Sequence, residues 1–280
     1  MRKIFTSILF VLVTNFIYSQ DDDKVRDLRF GLKVTPSVNW FKPDGKIISN
    51  DGPVLRYGGG LIVEYSLAKI VSFQTGVQID VGGGKVKYNN GTAVNSNSVS
   101  YDYSILDDKI VPFELRHSIG SDTVSFTHYQ LNARNYSTSY VTIPLTLKMK
   151  TKEIGSFVYY GQFGINNSFR WKSTVKDDVS PLTTNGLIGS HETKSKVDVT
   201  KDVSVYTASL NMGLGAEYNL SGSTSLTFGV NYMLGFLSVV KDKSKYLERR
   251  TNDVNGVVSY TPMPQQIKSN AVVLMVGILF

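Results

Sequence analysis

The chain has 280 residues, a formal charge of +7 and no cysteine. The missing thiols exclude disulfide staples and thiolate metal centres, and no run interleaves basic with aromatic residues as a nucleic-acid surface would. The 16 Tyr, 14 Phe and 24 Gly, among many Val, Ser, Thr and Asn, are a β-sheet composition, and the length suits one domain.

The first element is apolar and short. Arg2 and Lys3 precede the run from Ile4 to Ile17, and Ser19 is a small residue where cleavage is expected. This reads as a secretory signal peptide over residues 1–19. No cysteine follows, so lipoprotein processing is excluded. Loss of Arg2 and Lys3 leaves 28 basic against 23 acidic residues, a net +5. Residues 20–28 read as a short periplasmic lead-in. Beyond Gln20 no segment approaches the ~20 apolar residues of a membrane helix.

Eight segments with period-two alternation follow. The first, 29–40, sets Phe30, Leu32, Val34, Val38 and Trp40 against Arg29, Lys33 and Asn39. The second and third, 57–67 and 70–87, carry Leu61, Val63, Tyr65, Val71, Phe73 and Ile79 on one face. Their other face carries Glu64, Gln74, Gln78 and Asp80. The fourth and fifth, 139–150 and 156–172, oppose Ile143, Leu145, Phe163 and Phe169 to Thr142, Lys148, Gln162 and Arg170. The sixth and seventh, 203–220 and 225–236, oppose Met212, Leu214, Phe228 and Val230 to Asn211, Glu217, Thr227 and Asn231. The eighth, 269–280, places Leu274, Val276, Ile278 and Phe280 on one side. Such alternation over ~10 residues is the pattern of a membrane barrel.

The connections alternate in length. Those at 66–69, 151–155 and 221–222 are short, and those at about 41–56, 88–138, 173–202 and 240–268 are long. Outer-membrane barrels have short periplasmic turns and long outer loops. The expected fold is therefore all-β, an eight-stranded antiparallel up-and-down transmembrane β-barrel over 29–280, with the cell outer membrane as its location. A soluble ligand-binding barrel would need its apolar face inside. Aromatic residues cluster at both strand ends instead, with Trp40, Phe169, Trp171 and Phe236 at one and Phe30, Tyr65, Phe157, Tyr159 and Tyr218 at the other. Phe280, the terminal aromatic of an amphipathic strand, is expected to serve as a signal to the outer-membrane insertion machinery.

Arg29, Lys33, Glu64, Asp80, Lys148, Lys150, Arg170 and Glu217 point inward in this scheme. An eight-stranded barrel is filled by its own side chains, so these charges are expected to pair in a lumen network; a narrow polar pathway is the alternative. His117, His128 and His191 fall in outer loops without metal-ligand spacing, and no G-x-S-x-G elbow is present. His117-Ser118 with Glu114 is the one local candidate for catalysis, but adjacent strand residues face opposite ways. No catalytic, metal or cofactor site is expected. Lys241, Lys243, Lys245, Arg249 and Arg250 in the last long loop are candidates for contact with lipid A phosphates.

Four segments carry a family resemblance. They are Phe30-Gly31-Leu32-Lys33-Val34-Thr35-Pro36, Gly60-Leu61-Ile62-Val63-Glu64-Tyr65, Tyr140-Val141-Thr142-Ile143-Pro144-Leu145-Thr146-Leu147-Lys148 and Asn211-Met212-Gly213-Leu214-Gly215-Ala216-Glu217-Tyr218. They resemble the glycine-rich opening strand, the I-P-L-x-L-K strand and the G-x-G-x-E-Y strand of the PorT-like outer-membrane β-barrel family of Bacteroidota. The resemblance implies an eight-stranded outer-membrane barrel and, through the founding member, a link to type IX secretion; it brings no catalytic residues. The expected role is non-enzymatic, a binding or assembly component of the envelope. Its expected partners are outer-membrane lipids including lipopolysaccharide, the insertion machinery and other envelope or secretion components. A narrow channel is the second reading and a lipid-modifying enzyme the third.

Overall fold

The computed structural model describes residues 28–45, 47–90, 99–118, 126–182, 189–252 and 257–280. The expected leader and the lead-in up to residue 27 lie outside the described residues. Among the described residues, eighteen strands form one closed antiparallel sheet system. Eight walls make the ring, and several walls are built from more than one strand.

The first wall is β1 (Leu28–Val34) and β2 (Ser37–Pro43). The expected single strand is interrupted at Thr35-Pro36, because proline has no N–H for the ladder. Pairing survives the break: Thr35 and Gly58 exchange backbone hydrogen bonds (2.9 and 3.1 Å), and Pro36 O accepts from Leu274 N (2.9 Å). Short strands β3 (Ile48–Asn50) and β4 (Val54–Arg56) precede the second wall, β5 (Gly58–Ala68). The third wall is β6 (Val71–Thr75), β7 (Gln78–Gly82) and β8 (Lys85–Tyr88). Its two breaks fall at Gly76 (φ 152°) and Gly83 (φ 145°). A Cβ at Gly83 would lie 2.0 Å from Tyr136 O, so only glycine lets the two backbones meet there.

Next come β9 (Val99–Leu106), β10 (Lys109–Ile110) and a short helix α1 (Phe113–Ser118). The fourth and fifth walls are the long strands β11 (Thr127–Lys150) and β12 (Phe157–Pro181). After β13 (Glu192–Asp198) the sixth and seventh walls are β14 (Tyr206–Ser221) and β15 (Thr224–Gly235). The hairpin β16 (Lys243–Asn252) and β17 (Val258–Pro264) leads into the eighth wall, β18 (Ile267–Leu279). β18 closes the ring against β1 and β2, and Phe30 and Phe280 exchange backbone hydrogen bonds of 3.0 and 2.8 Å at the seam.

The stagger of the ring follows from the registers. Paired residues lead from Arg29 through Glu64, Gln74, Thr146, Gly164, Asn211, Met233 and Ala271 to Asn39. One circuit thus returns to the first wall ten residues further along. With eight strands this stagger corresponds to a tilt of about 40°. A tilted strand climbs roughly 2.5 Å per residue along the axis, so the 24 residues of β11 rise to about 60 Å. An apolar belt needs only ~25 Å of that.

The remainder is a head. The long connections expected at 88–138, 173–202 and 240–268 are largely strands that carry the sheet beyond the belt. The faces exchange character on the way. Within the belt β11 turns Ile143, Leu145 and Met149 outward and Thr142, Thr146 and Lys148 inward. Beyond it Ser137 and Asn135 are the partly exposed residues, and Tyr136 and Leu131 are buried. Tyr103, Leu131, Val175, Val179, Leu247 and Met263 form the head's apolar core. The head is thus packed like a water-soluble domain, with each fully buried large side chain contributing about 1.5–3 kcal/mol.

Candidate functional site

The belt's lumen holds a five-residue charge cluster near the rim where Leu28 and Phe280 lie. Arg29 and Glu64 are register partners, and the circuit brings Lys148, Lys150 and Glu217 to the same level. Arg29 Nη2 donates to Glu64 Oε1 (2.6 Å) and Glu217 Oε2 (2.9 Å). Lys148 Nζ donates to Glu64 Oε2 (3.0 Å) and to Glu217, and Lys150 Nζ donates to Glu64 Oε1. Lys148 also lies 4.1 Å from the centre of the Tyr160 ring, whose hydroxyl donates to Phe228 O (3.0 Å). Glu64 and Lys148 have no exposed side-chain surface. Buried charges persist in a protein only when paired and hydrogen-bonded on several sides, and here each carboxylate bridges at least two cations. The cluster fills this end of the lumen with paired charge.

Five of the eight inward charges expected from the sequence therefore meet. The other three lie higher. Asp80 accepts from Gln78 Nε2 (2.6 Å), Lys33 sits further along β1 and Arg170 near the far end of the belt portion of β12. Above the cluster is a cavity of about 100 Å³, lined by Thr35, Asn39, Thr142, Asn166, Ser209 and Val273 among others. That is room for roughly three waters. Thr35 Oγ1, Asn39 Oδ1 and Asn166 Oδ1 have no protein partner, so they are placed to bond water. Phe41 and Val239 line the cavity and also belong to the head core.

The head holds polar groups that the sequence reading missed. Arg134 and Asp177 form a fully buried bidentate pair, with both hydrogen bonds at 2.7 Å. The Arg134 guanidinium also lies 5.7 Å from the rings of Tyr103 and Tyr136. The two residues are apart in sequence and become register neighbours only when β11 pairs with β12. A second group joins α1 to the sheet. Glu248 Oε2 is 3.0 Å from both Arg116 Nη2 and His117 Nε2. The residue before Ser118 thus faces Glu248, and this part of the expected outer loop is a short helix. Ser104 Oγ lies 2.8 Å from His128 Nδ1 and accepts from Arg116 Nη1 (2.9 Å), but Ser104 is completely buried. His191 lies beside Asp178 on the surface (3.1 Å). Among the described residues no cluster of His, Asp and Glu forms a metal site.

Asp102 stands opposite Glu248 across β9 and β16, well outside the belt, and both are buried. Burial and the facing Glu248 carboxylate push Asp102 up to about 7, against a hydrogen bond from Ser100 Oγ (3.0 Å) and the charges of Arg250 and Arg116. The folded head therefore holds a proton that the unfolded chain, with an aspartate near 3.9, has released. Asp102's contribution to stability is fullest below about pH 4 and is lost as pH rises towards 7. Asp102→Asn is expected to flatten that fall and to raise stability at pH 8 by about 1.4 kcal/mol or more, one pKa unit's worth. Denaturation midpoints of both proteins from pH 4 to 8 check this; parallel profiles would refute it.

The outer surface carries the two aromatic rings of residues expected from the sequence. Phe30, Tyr65, Phe157, Tyr159 and Phe280 are exposed at one rim, and Phe169, Trp171 and Phe236 at the other. The structure splits the basic set of the last long connection. Lys241, Lys243 and Lys245 are exposed at the base of the hairpin. Arg249 and Arg250 pair in register with Tyr101 and Ser100 of β9, whose other neighbours are the residues at the far end of β11. That puts both arginines high on the head, away from a bilayer surface. At the belt's upper rim stand Lys42 and Lys268 instead, register partners on β2 and β18 that the sequence reading did not single out.

Residues 18–241 match the family described as outer membrane protein beta-barrel domain. No curated protein matches the chain. Among solved structures it is similar to OprG from Pseudomonas aeruginosa, at 12% identity over 91% of this chain and 96% of that one, with a TM-score of 0.38. It is also similar to a major outer membrane protein from Thermus thermophilus, at 12% identity over 89% and 98% with a TM-score of 0.36. A third is the outer membrane protease OmpT from Escherichia coli, at 7% identity over 94% and 99% with a TM-score of 0.37.

Proposed function

We propose that this chain, which belongs to the outer membrane protein beta-barrel domain family, is a non-conducting and non-enzymatic scaffold that presents its head at the cell surface as a binding or assembly component. The barrel sits in the outer membrane. What supports the reading is that side chains fill the lumen at two levels. Glu64, Glu217, Arg29, Lys148 and Lys150 interlock at one end, and Phe41 and Val239 join the lumen to the apolar head core at the other. An ion crossing would have to break the cluster and then enter an apolar core, where an unpaired charge costs several kcal/mol.

The non-enzymatic reading is supported by the burial of Ser104, the one hydroxyl hydrogen-bonded to a histidine ring among the described residues of the head. The resemblance to PorT-like proteins supports a role in envelope assembly, with type IX secretion components as the first partners to seek. Purified full-length protein in planar bilayers is expected to give no stepwise conductance. Regular conductance steps from the unaltered protein would turn the reading to a channel. Cross-linking in native outer membranes tests the assembly role, which fails if nothing but lipid and insertion components are captured.

A further inference from the structure

Lys42 and Lys268 are direct cross-strand partners on the outward face of β2 and β18. One pleat below them Trp40 pairs with Asn270, which is buried and accepts from Gly235 N (3.2 Å). Trp40 reaches across β18 to Tyr232 of the seventh wall, ring centres 6.2 Å apart, and Phe236 is exposed just beyond that wall's strand. Below this level the outward residues are Val38, Val272 and Leu274, all exposed and apolar. The two ammonium groups thus stand where the apolar belt stops, above an aromatic shelf.

Like charges directly opposite on a sheet repel, and a folded surface keeps such a pair when something between them is negative. Asp44 supplies part of that: its Oδ2 lies 3.2 Å from Lys268 Nζ, both groups being about two-fifths exposed. Lys42 is exposed and has no ion-pair partner among the described residues. Two cations and one carboxylate leave one positive charge at headgroup height. Long lysine stems can lie along apolar surface and lift their charge to the interface, where a phosphate oxygen accepts charge-assisted hydrogen bonds.

We propose that Lys42 and Lys268 form a clamp for one phosphate of an outer-leaflet lipid headgroup, with Trp40 and Tyr232 supporting the lipid beneath it. The site rests on the outer-membrane placement and is independent of whether the lumen conducts, so a conducting barrel would leave it standing.

Full-length protein is purified in mild detergent and mixed with bisphosphorylated lipid A or with lipid A stripped of both phosphates. Retained lipid is counted by native mass spectrometry. The unaltered protein is expected to retain the phosphorylated form, and Lys42→Gln with Lys268→Gln to lose about tenfold of that retention. Lys243→Gln with Lys245→Gln, on the hairpin above, is expected to leave it unchanged. Asp44→Asn removes the competing carboxylate without touching either lysine and is expected to raise retention roughly threefold. The clamp is overturned if the stripped lipid is retained equally or if the double lysine variant, folded by its gel mobility, retains as much as the parent. Displacement of the lipid by millimolar inorganic phosphate alone, or no rise with Asp44→Asn, would overturn it as well.

Discussion

Glu64→Gln is expected to cost about 3–5 kcal/mol of barrel stability, the usual penalty for removing one member of a buried ion pair. Glu64 accepts from Arg29, Lys148 and Lys150 at once. Its loss leaves three cations to share Glu217 in a site where Lys148 has no exposed surface. The double variant Glu64→Gln with Lys148→Met removes one charge of each sign and is expected to recover a large part of the loss. Urea midpoints of protein refolded into lipid vesicles measure both. If the single variant unfolds within about 1 kcal/mol of the parent, the cluster behaves as a solvated surface network.

Val230→Arg is expected to cost about 2–4 kcal/mol and to reduce the amount reaching the membrane, since an arginine near the bilayer midplane on the lipid face has no water to meet. Val230 is half-exposed on the outside of β15, between Phe228 and Tyr232. The neighbouring Asn231 points inward, where it accepts from Gln162 Nε2 (2.6 Å). Asn231→Leu therefore loses a lumen hydrogen bond worth about 1 kcal/mol and should still insert. Quantitative fractionation of outer membranes, with urea midpoints of the refolded proteins, separates the two. Normal insertion of Val230→Arg beside failure of Asn231→Leu would mean that the faces are reversed.

Both predictions use a face assignment that was legible in the sequence. Phe228, Val230 and Tyr232 alternate with Thr227, Gly229 and Asn231, and the structure turns the first set out and buries Thr227 and Asn231. The inward charges were legible for the same reason, because parity alone puts Glu64, Lys148 and Glu217 on the polar face. Which of them would touch was not legible. Arg29, Glu64, Lys148 and Glu217 meet because the ring is staggered by ten residues, and no single strand carries that number. The head was hidden more deeply. In the strands beyond the belt the buried residues include Arg134, Asp177, Gln130 and Ser180 beside Leu131 and Val179. Bulges near Ala133 and Tyr140 also shift the pairing, so a pattern of period two is blurred.

The barrel, its strand number and its lipid-facing stripe are written in residue order alone, because a strand in a bilayer must sort apolar from polar residues at every second position, and that sorting is local. Where the two faces exchange roles, which charges pair, and that Lys42 stands beside Lys268 while Arg249 and Arg250 rise away from the membrane emerge only in the folded chain. Those facts depend on register between strands far apart in the chain, and register is settled by ring closure, bulges and the packing of the head core, to which residue order gives no direct clue.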